Sequence, residues 1–226
     1  MSDISALEME ICDRLGRLST LSTPAVRVLR REFSKRIAFL AADTVLQLGY
    51  RLLKKENVVP RFFSYELVQH HSGAARSLNT RRLQQLGEGI NSWGAVDTFA
   101  CYLSGPAWRE RQVPDSLIAR WARSKNRWWR RAGVVSTVPL NNKARGGEGD
   151  PLRTLQICKL VVGDSDDMVV KALSWALREL AKRDRQTVEN FLSENQTTLA
   201  PRVLREVNNK LKTGLKNPKP NSVLDK

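Results

Sequence analysis

The chain has 226 residues, a formal net charge of +15 at pH 7 and a hydrophobic content of 41%. That is enough apolar material for one good-sized domain, or two small ones, and it excludes a disordered basic tail. Such an excess, with a sequence pI near 10.3, points to a polyanionic partner, nucleic acid ahead of a membrane surface.

Helical periodicity dominates and strand-type alternation is almost absent, so the pattern predicts an all-α fold. The predicted helices run over 3–18, 25–41, 43–56, 60–71, 76–90, 91–104, 115–124, 127–138, 151–162, 166–183, 186–194 and 199–213. The breaks carry Pro, Gly or short polar runs: "STP", "VVP", "SGPAW", "VVGDSDD" and "TLAP". The segment 141–150, "NNKARGGEGD", reads as a flexible surface loop, and 214–226 as a disordered basic tail after a single domain over 1–213. Sliding the chain by about 40 residues sets "WARSKNRWWRRAGVV" on "VVGDSDDMVVKALSW", the period of HEAT-type helical pairs. Stacked pairs of this kind build a curved solenoid that binds extended partners on its concave face.

Three helices carry residues that core packing alone does not explain. In 91–103, Val96, Phe99, Ala100 and Leu103 make the core face, and Trp93 and Asp97 are one turn apart on its flank. The Asp is either paired with a local arginine or held out of bulk water and aimed at positive charge in a substrate. In 127–138, Arg127, Arg130 and Arg131 share one face and read as surface. There Trp128 falls on the packing side with Ala132 and Val135, and Trp129 at its far margin; Trp108 and Trp121 read as packing residues too. In 166–183, Val169, Leu173, Ala176 and Leu180 form an ordinary core stripe, with Leu177 at its edge. On the opposite side Trp175 lies among Lys171, Arg178 and Lys182. Either the indole packs on a flanking helix with cations reaching past it, or it faces a nucleotide whose phosphates the cations hold.

Other chemistries find little support. No apolar run reaches the roughly 18–20 residues that span a bilayer, and the acid-bearing start "MSDISALEMEICDRLGRL" lacks a leader pattern. Cys12, Cys101 and Cys158 are odd in number and widely spaced, which suits a reducing cytoplasm. His70 and His71 stand without cysteine partners, so neither a zinc site nor a histidine triad is expected, and no cofactor is implied.

Taken in order, "SWGAVDTF", "SKNRWWRRAGVV", "DDMVVKALSWALRELAKRD" and "LAPRVLREVNNKLK" resemble the DNA alkylation repair glycosylases of the HEAT-like repeat class, the AlkD type. The resemblance covers about residues 85–213, and more loosely the N-terminal helices. It implies an all-α, right-handed HEAT-like solenoid that cradles duplex DNA on a concave basic face. It also implies excision of cationic N3- and N7-alkylated purines without a flipped-base pocket. Under it, Asp97 looks like the catalytic carboxylate, Trp93 and Trp175 like the two active-site tryptophans, and Arg131 like the DNA-backbone arginine. Arg127, Arg130, Lys171, Arg178 and Lys182 complete the expected DNA-binding set. No lysine stands out as a Schiff-base nucleophile, so the expected enzyme is a monofunctional hydrolase, a monomer without metal or membrane partner, cytoplasmic and nucleoid-associated when bound to DNA. The chain departs from the family at Val28, where an N-terminal helix usually supplies an aromatic hydroxyl. Two alternatives stay open: a non-catalytic HEAT-like protein that binds damaged, bent or branched DNA, and a helical scaffold for acidic partners.

Overall fold

In the computed structural model residues 4–55 and 59–218 are described. They form fifteen α-helices, and no strand occurs among the described residues. The first half holds α1 (Ile4–Gly16), α2 (Thr23–Arg36), α3 (Ala42–Leu53), α4 (Arg61–His70), α5 (Ser72–Arg76) and α6 (Thr80–Leu86). Then come α7 (Trp93–Phe99), α8 (Gly105–Arg109), α9 (Asp115–Ala122), α10 (Arg127–Val135) and α11 (Val138–Asn141). The chain closes with α12 (Pro151–Lys159), α13 (Asp167–Leu180), α14 (Arg185–Glu194) and α15 (Pro201–Thr213). The helix limits expected at residues 3 and 56, and the tail over 219–226, lie outside the described residues.

Local chemistry accounts for most boundaries. Asn79, Ser92, Asn126, Asp150, Asp166 and Asp184 each accept a backbone N–H of the helix that follows, satisfying a donor that the helix cannot pair internally. The Asn79 cap also corrects an expectation: 76–90 is not one helix, because the chain breaks there and restarts as α6. "SGPAW" is not a break. After α7 the residues Ala100–Ser104 form a widened π-turn that runs straight into α8, with Pro106 in the first turn. Proline lacks an N–H and crowds the carbonyl one turn back, so the ladder opens just before it.

The contacts divide into two units. The first comprises residues 1–89 and 102–113. Within it α3 packs on α4, α2 on α4 and α1 on α3, around Phe33, Leu46, Leu52, Phe63, Tyr65 and Trp108. The second comprises residues 90–101 and 114–226. There α9 pairs with α10 and α12 with α13, while α10 packs on α13, α13 on α15 and α9 on α12. Both α7 and α13 therefore meet α10, or flank a helix that does.

The segment 141–150 is not the loose loop its glycines suggest. Arg183 Nε donates to the Asn141 carbonyl at 2.8 Å and its Nη2 to the Gly147 carbonyl at 3.0 Å. Gly147 is buried, and a Cβ there would lie 2.3 Å from the Pro139 carbonyl oxygen, so only glycine fits. Residues 214–218 turn back on α15: Gly214 takes φ +73°, and Asn209 Nδ2 donates to the Lys216 carbonyl at 3.1 Å.

Candidate functional site

The site begins with the register of α7. Ser92 caps it, and Val96 and Phe99 are buried, which fixes the turn of the helix and leaves Trp93 63% exposed at its first position. Phe99 is held by two indoles, with ring centroids 5.8 Å from Trp121 and 6.1 Å from Trp129; the two indoles lie 4.9 Å apart. Asp97 sits one turn beyond Trp93 and is half-buried.

Arg131 of α10 binds that carboxylate with both arms. Its Nε and Nη2 donate to the two Asp97 oxygens, each at 2.8 Å, and the side chains are only 7% and 18% exposed. Its Nη1 donates to the Met168 carbonyl at 2.5 Å, in the first turn of α13. One guanidinium thus ties together three helices: α7, α10 and α13. Burial raises the Asp97 pKa, and the hydrogen bond and charge of Arg131 pull it back only in part.

From Met168 the chain leads to the second tryptophan. Along α13 the positions that are not buried are Asp167, Met168, Lys171, Trp175 and Arg178, and every other residue of the helix is buried. Met168 and Trp175 are about two turns apart on one stripe, some 10 Å along the axis. The stripe expected from periodicity is therefore the one face this helix presents, with Lys182 exposed just beyond its end.

The expected DNA-binding cations are already engaged within the protein. Arg130 Nε donates to Asp164 at 2.6 Å, and its Nη1 reaches the carbonyls of Ser124 and Lys125. Arg127 lies over the Trp128 ring, 4.8 Å from its centroid, and 3.6 Å from Asp166. Lys171 pairs with Asp167 at 2.6 Å and Lys182 with Glu179 at 2.7 Å. Arg178 is half-buried, donates from Nε to Ser174 Oγ at 3.2 Å, and is pushed below its ordinary pKa by burial. The surface reading of Arg131 fails because a carboxylate and a carbonyl satisfy it inside the protein.

The assignment of the two adjacent tryptophans also changes. Trp129, not Trp128, meets the rings of Phe99 and Trp121, whereas Trp128 is half-buried beneath Arg127. With Asn126 capping the helix, its first turn sets Trp128 toward its own charged end. Trp108 and Trp121 are buried, as expected.

Of the two readings left open for Asp97, the pairing with an arginine is present, but sequence reasoning missed the acidic partners of the other cations and a buried hydrogen bond of 2.6 Å from Ser174 Oγ to Glu206. The run "GDSDD" in so basic a chain is the signal that could have found Asp164, Asp166 and Asp167. Among the described residues no group of His, Cys, Asp and Glu could hold a metal ion, and no helix is long and apolar enough to cross a membrane. Burial pushes the thiols of Cys101 and Cys158 up to about 12, which leaves them protonated and unreactive.

A family model described as DNA alkylation repair enzyme matches residues 16–211. The chain belongs to the DNA alkylation repair enzyme family. Curated proteins and solved structures give no match. The matched span takes in parts of both units and every site residue named above. Family membership supports a role in DNA repair with DNA as partner.

Proposed function

We propose that this protein is a monofunctional DNA glycosylase that hydrolyses the N-glycosidic bond of N3- and N7-alkylated purines in duplex DNA, with Asp97 as the catalytic carboxylate. The observation that carries the reading is the Asp97–Arg131 pair, joined through the Met168 carbonyl to the helix that presents Trp175. Arg131 holds the carboxylate by two hydrogen bonds, so Asp97 need not reorganise when charge develops near it.

An alkylated purine carries a formal positive charge and leaves as a neutral base, so little general-acid help is needed. As the bond breaks, the sugar acquires oxocarbenium character, and Asp97 stabilises that cation while water adds at the anomeric carbon. The proton released from water passes to the carboxylate or to solvent, and no covalent intermediate forms. Trp93 and Trp175 offer indole faces to the cationic base, each worth about 0.5–2 kcal/mol. Lys171, Lys182, Arg127 and Arg130 would engage the backbone as phosphates displace their acidic partners, and Arg178 by leaving the Ser174 hydroxyl. The paired rows of helices in the second unit support HEAT-like stacking within that unit. In this reading the protein works as a monomer, without cofactor, on DNA in the cytoplasm.

The test is release of 7-methylguanine or 3-methyladenine from methylated duplex DNA by the purified protein. If neither base is released, the carboxylate is not used for excision. The second reading then stands, a non-catalytic protein that binds damaged, bent or branched DNA. Val28, which replaces the aromatic hydroxyl implied by the resemblance, favours that second reading.

A further inference from the structure

Helix α2 presents a solvent face that its own core packing does not use. Val26, Leu29, Arg30 and Phe33 are buried on one side, and Ile37 continues that side past the helix end. On the other side Val28 is 59% exposed, and Arg31 and Lys35 follow at spacings of three and four residues, which keep them on one stripe. Phe39, in the turn to α3, is 98% exposed. Burying a phenylalanine is worth about 1.5–3 kcal/mol, and this ring gains none of it in the fold.

The charges around this stripe are distinctive. Arg31 and Lys35 form no ion pair with another described residue. Glu32, the acid on the same side, is neutralised by both arms of Arg14, at 3.0 and 2.9 Å. Arg36 is taken up by Glu10 and the Phe33 ring. The free charge on the stripe is therefore positive, and the bare Phe39 ring follows four residues after Lys35, in the turn past the helix end.

We propose that this face of α2 contacts DNA, with Arg31 and Lys35 on neighbouring backbone phosphates and Phe39 stacked on an unpaired base. The two cations are about 6 Å apart along the axis, the scale of the spacing between adjacent phosphates on one strand. Cations flanking an aromatic plane are the combination that grips nucleic acid without reading its sequence. The contact favours DNA with a bulged or unstacked nucleotide over a perfect duplex. It rests on the reading of this protein as acting on DNA, and not on excision by Asp97.

The experiment uses the full chain and a duplex carrying one bulged 2-aminopurine, whose fluorescence falls when the base is stacked, beside the same duplex fully paired. The wild type is expected to bind the bulged duplex about 5- to 10-fold more tightly and to quench the probe. Phe39→Ala loses both the preference and the quenching but keeps its affinity for the paired duplex, and Phe39→Tyr keeps all three. The double variant Arg31→Ala/Lys35→Ala weakens binding to both duplexes and lowers the salt slope by about two. Release of methylated bases by the wild type is measured in a parallel assay that none of these readings depends on, so failure of the excision reading is seen separately. The proposal is overturned if Phe39→Ala binds and quenches as the wild type does, or if the double variant keeps its slope. It is also overturned if Phe39 affects binding to phosphatidylserine vesicles and not to DNA.

Discussion

Arg131 meets Asp97 edge to edge, with both carboxylate oxygens bound at 2.8 Å and the third arm of the guanidinium on the Met168 carbonyl. Of the three arginines at 127–131, Arg131 alone is thus turned inward to hold a carboxylate, and this one relationship sets the main expectations for catalysis and stability.

Asp97→Asn keeps the shape of the side chain and removes its charge. Base release is expected to fall by about 100-fold or more, the scale set by losing one preorganised electrostatic group. DNA affinity should stay within about 2-fold of the wild type. Single-turnover release beside an equilibrium binding curve separates the two, and full activity in the variant ends the role of Asp97.

Arg131→Met leaves Asp97 half-buried without its partner. Removing one member of a buried pair costs about 3–5 kcal/mol, and partial exposure here brings the expected loss to about 2–3 kcal/mol, read from the urea midpoint at constant slope. Because Arg131 uses its donors within the protein, the salt dependence of DNA binding should be unchanged. A slope lower by about one would instead place Arg131 on a phosphate.

The pH profile follows from the same pair. Burial raises the Asp97 pKa above the ordinary carboxylate range, with Arg131 opposing. Asp97 therefore takes up its proton at a higher pH than an exposed aspartate, and kcat/KM should fall as pH drops through that raised value. Arg131→Met removes the opposing influence, so its acid limb should lie at still higher pH. A limb that stays in place, or moves down, contradicts this account.

Asp167 is exposed and is held below its ordinary pKa by the Lys171 hydrogen bond, with Arg202 3.7 Å away. Asp167→Asn should release both cations and strengthen DNA binding by about 2- to 5-fold at low salt, with the gain fading as salt rises. Unchanged affinity would show that these cations do not meet DNA.

Gly133 closes the crossing of α9 and α10. A Cβ there would lie 2.8 Å from the Ala122 backbone nitrogen and 3.1 Å from the Ile118 carbonyl oxygen, both backbone atoms that cannot swing aside. Gly133→Ala is expected to cost about 1–3 kcal/mol in a thermal or urea melt, although alanine is the better helix former.

Much of this protein was legible in one dimension. Helical periodicity marks the single open stripe of α13, because burial on the other sides selects apolar or small residues there, Glu179 apart, and leaves Lys171, Trp175 and Arg178 where they face out. The same reasoning places Val96 and Phe99 inside and sets Trp93 beside Asp97 on the flank of α7. Helix phase, however, says which way a side chain leaves its own helix and nothing about what comes to meet it. Only the packing of α10 between α7 and α13 decided that Arg131 is buried on Asp97, that Arg130 is tied to Asp164, and that Trp129 and not Trp128 joins the ring cluster. Such pairings join residues far apart in the chain, and charge balance inside a fold depends on those distances in space, which no local pattern encodes.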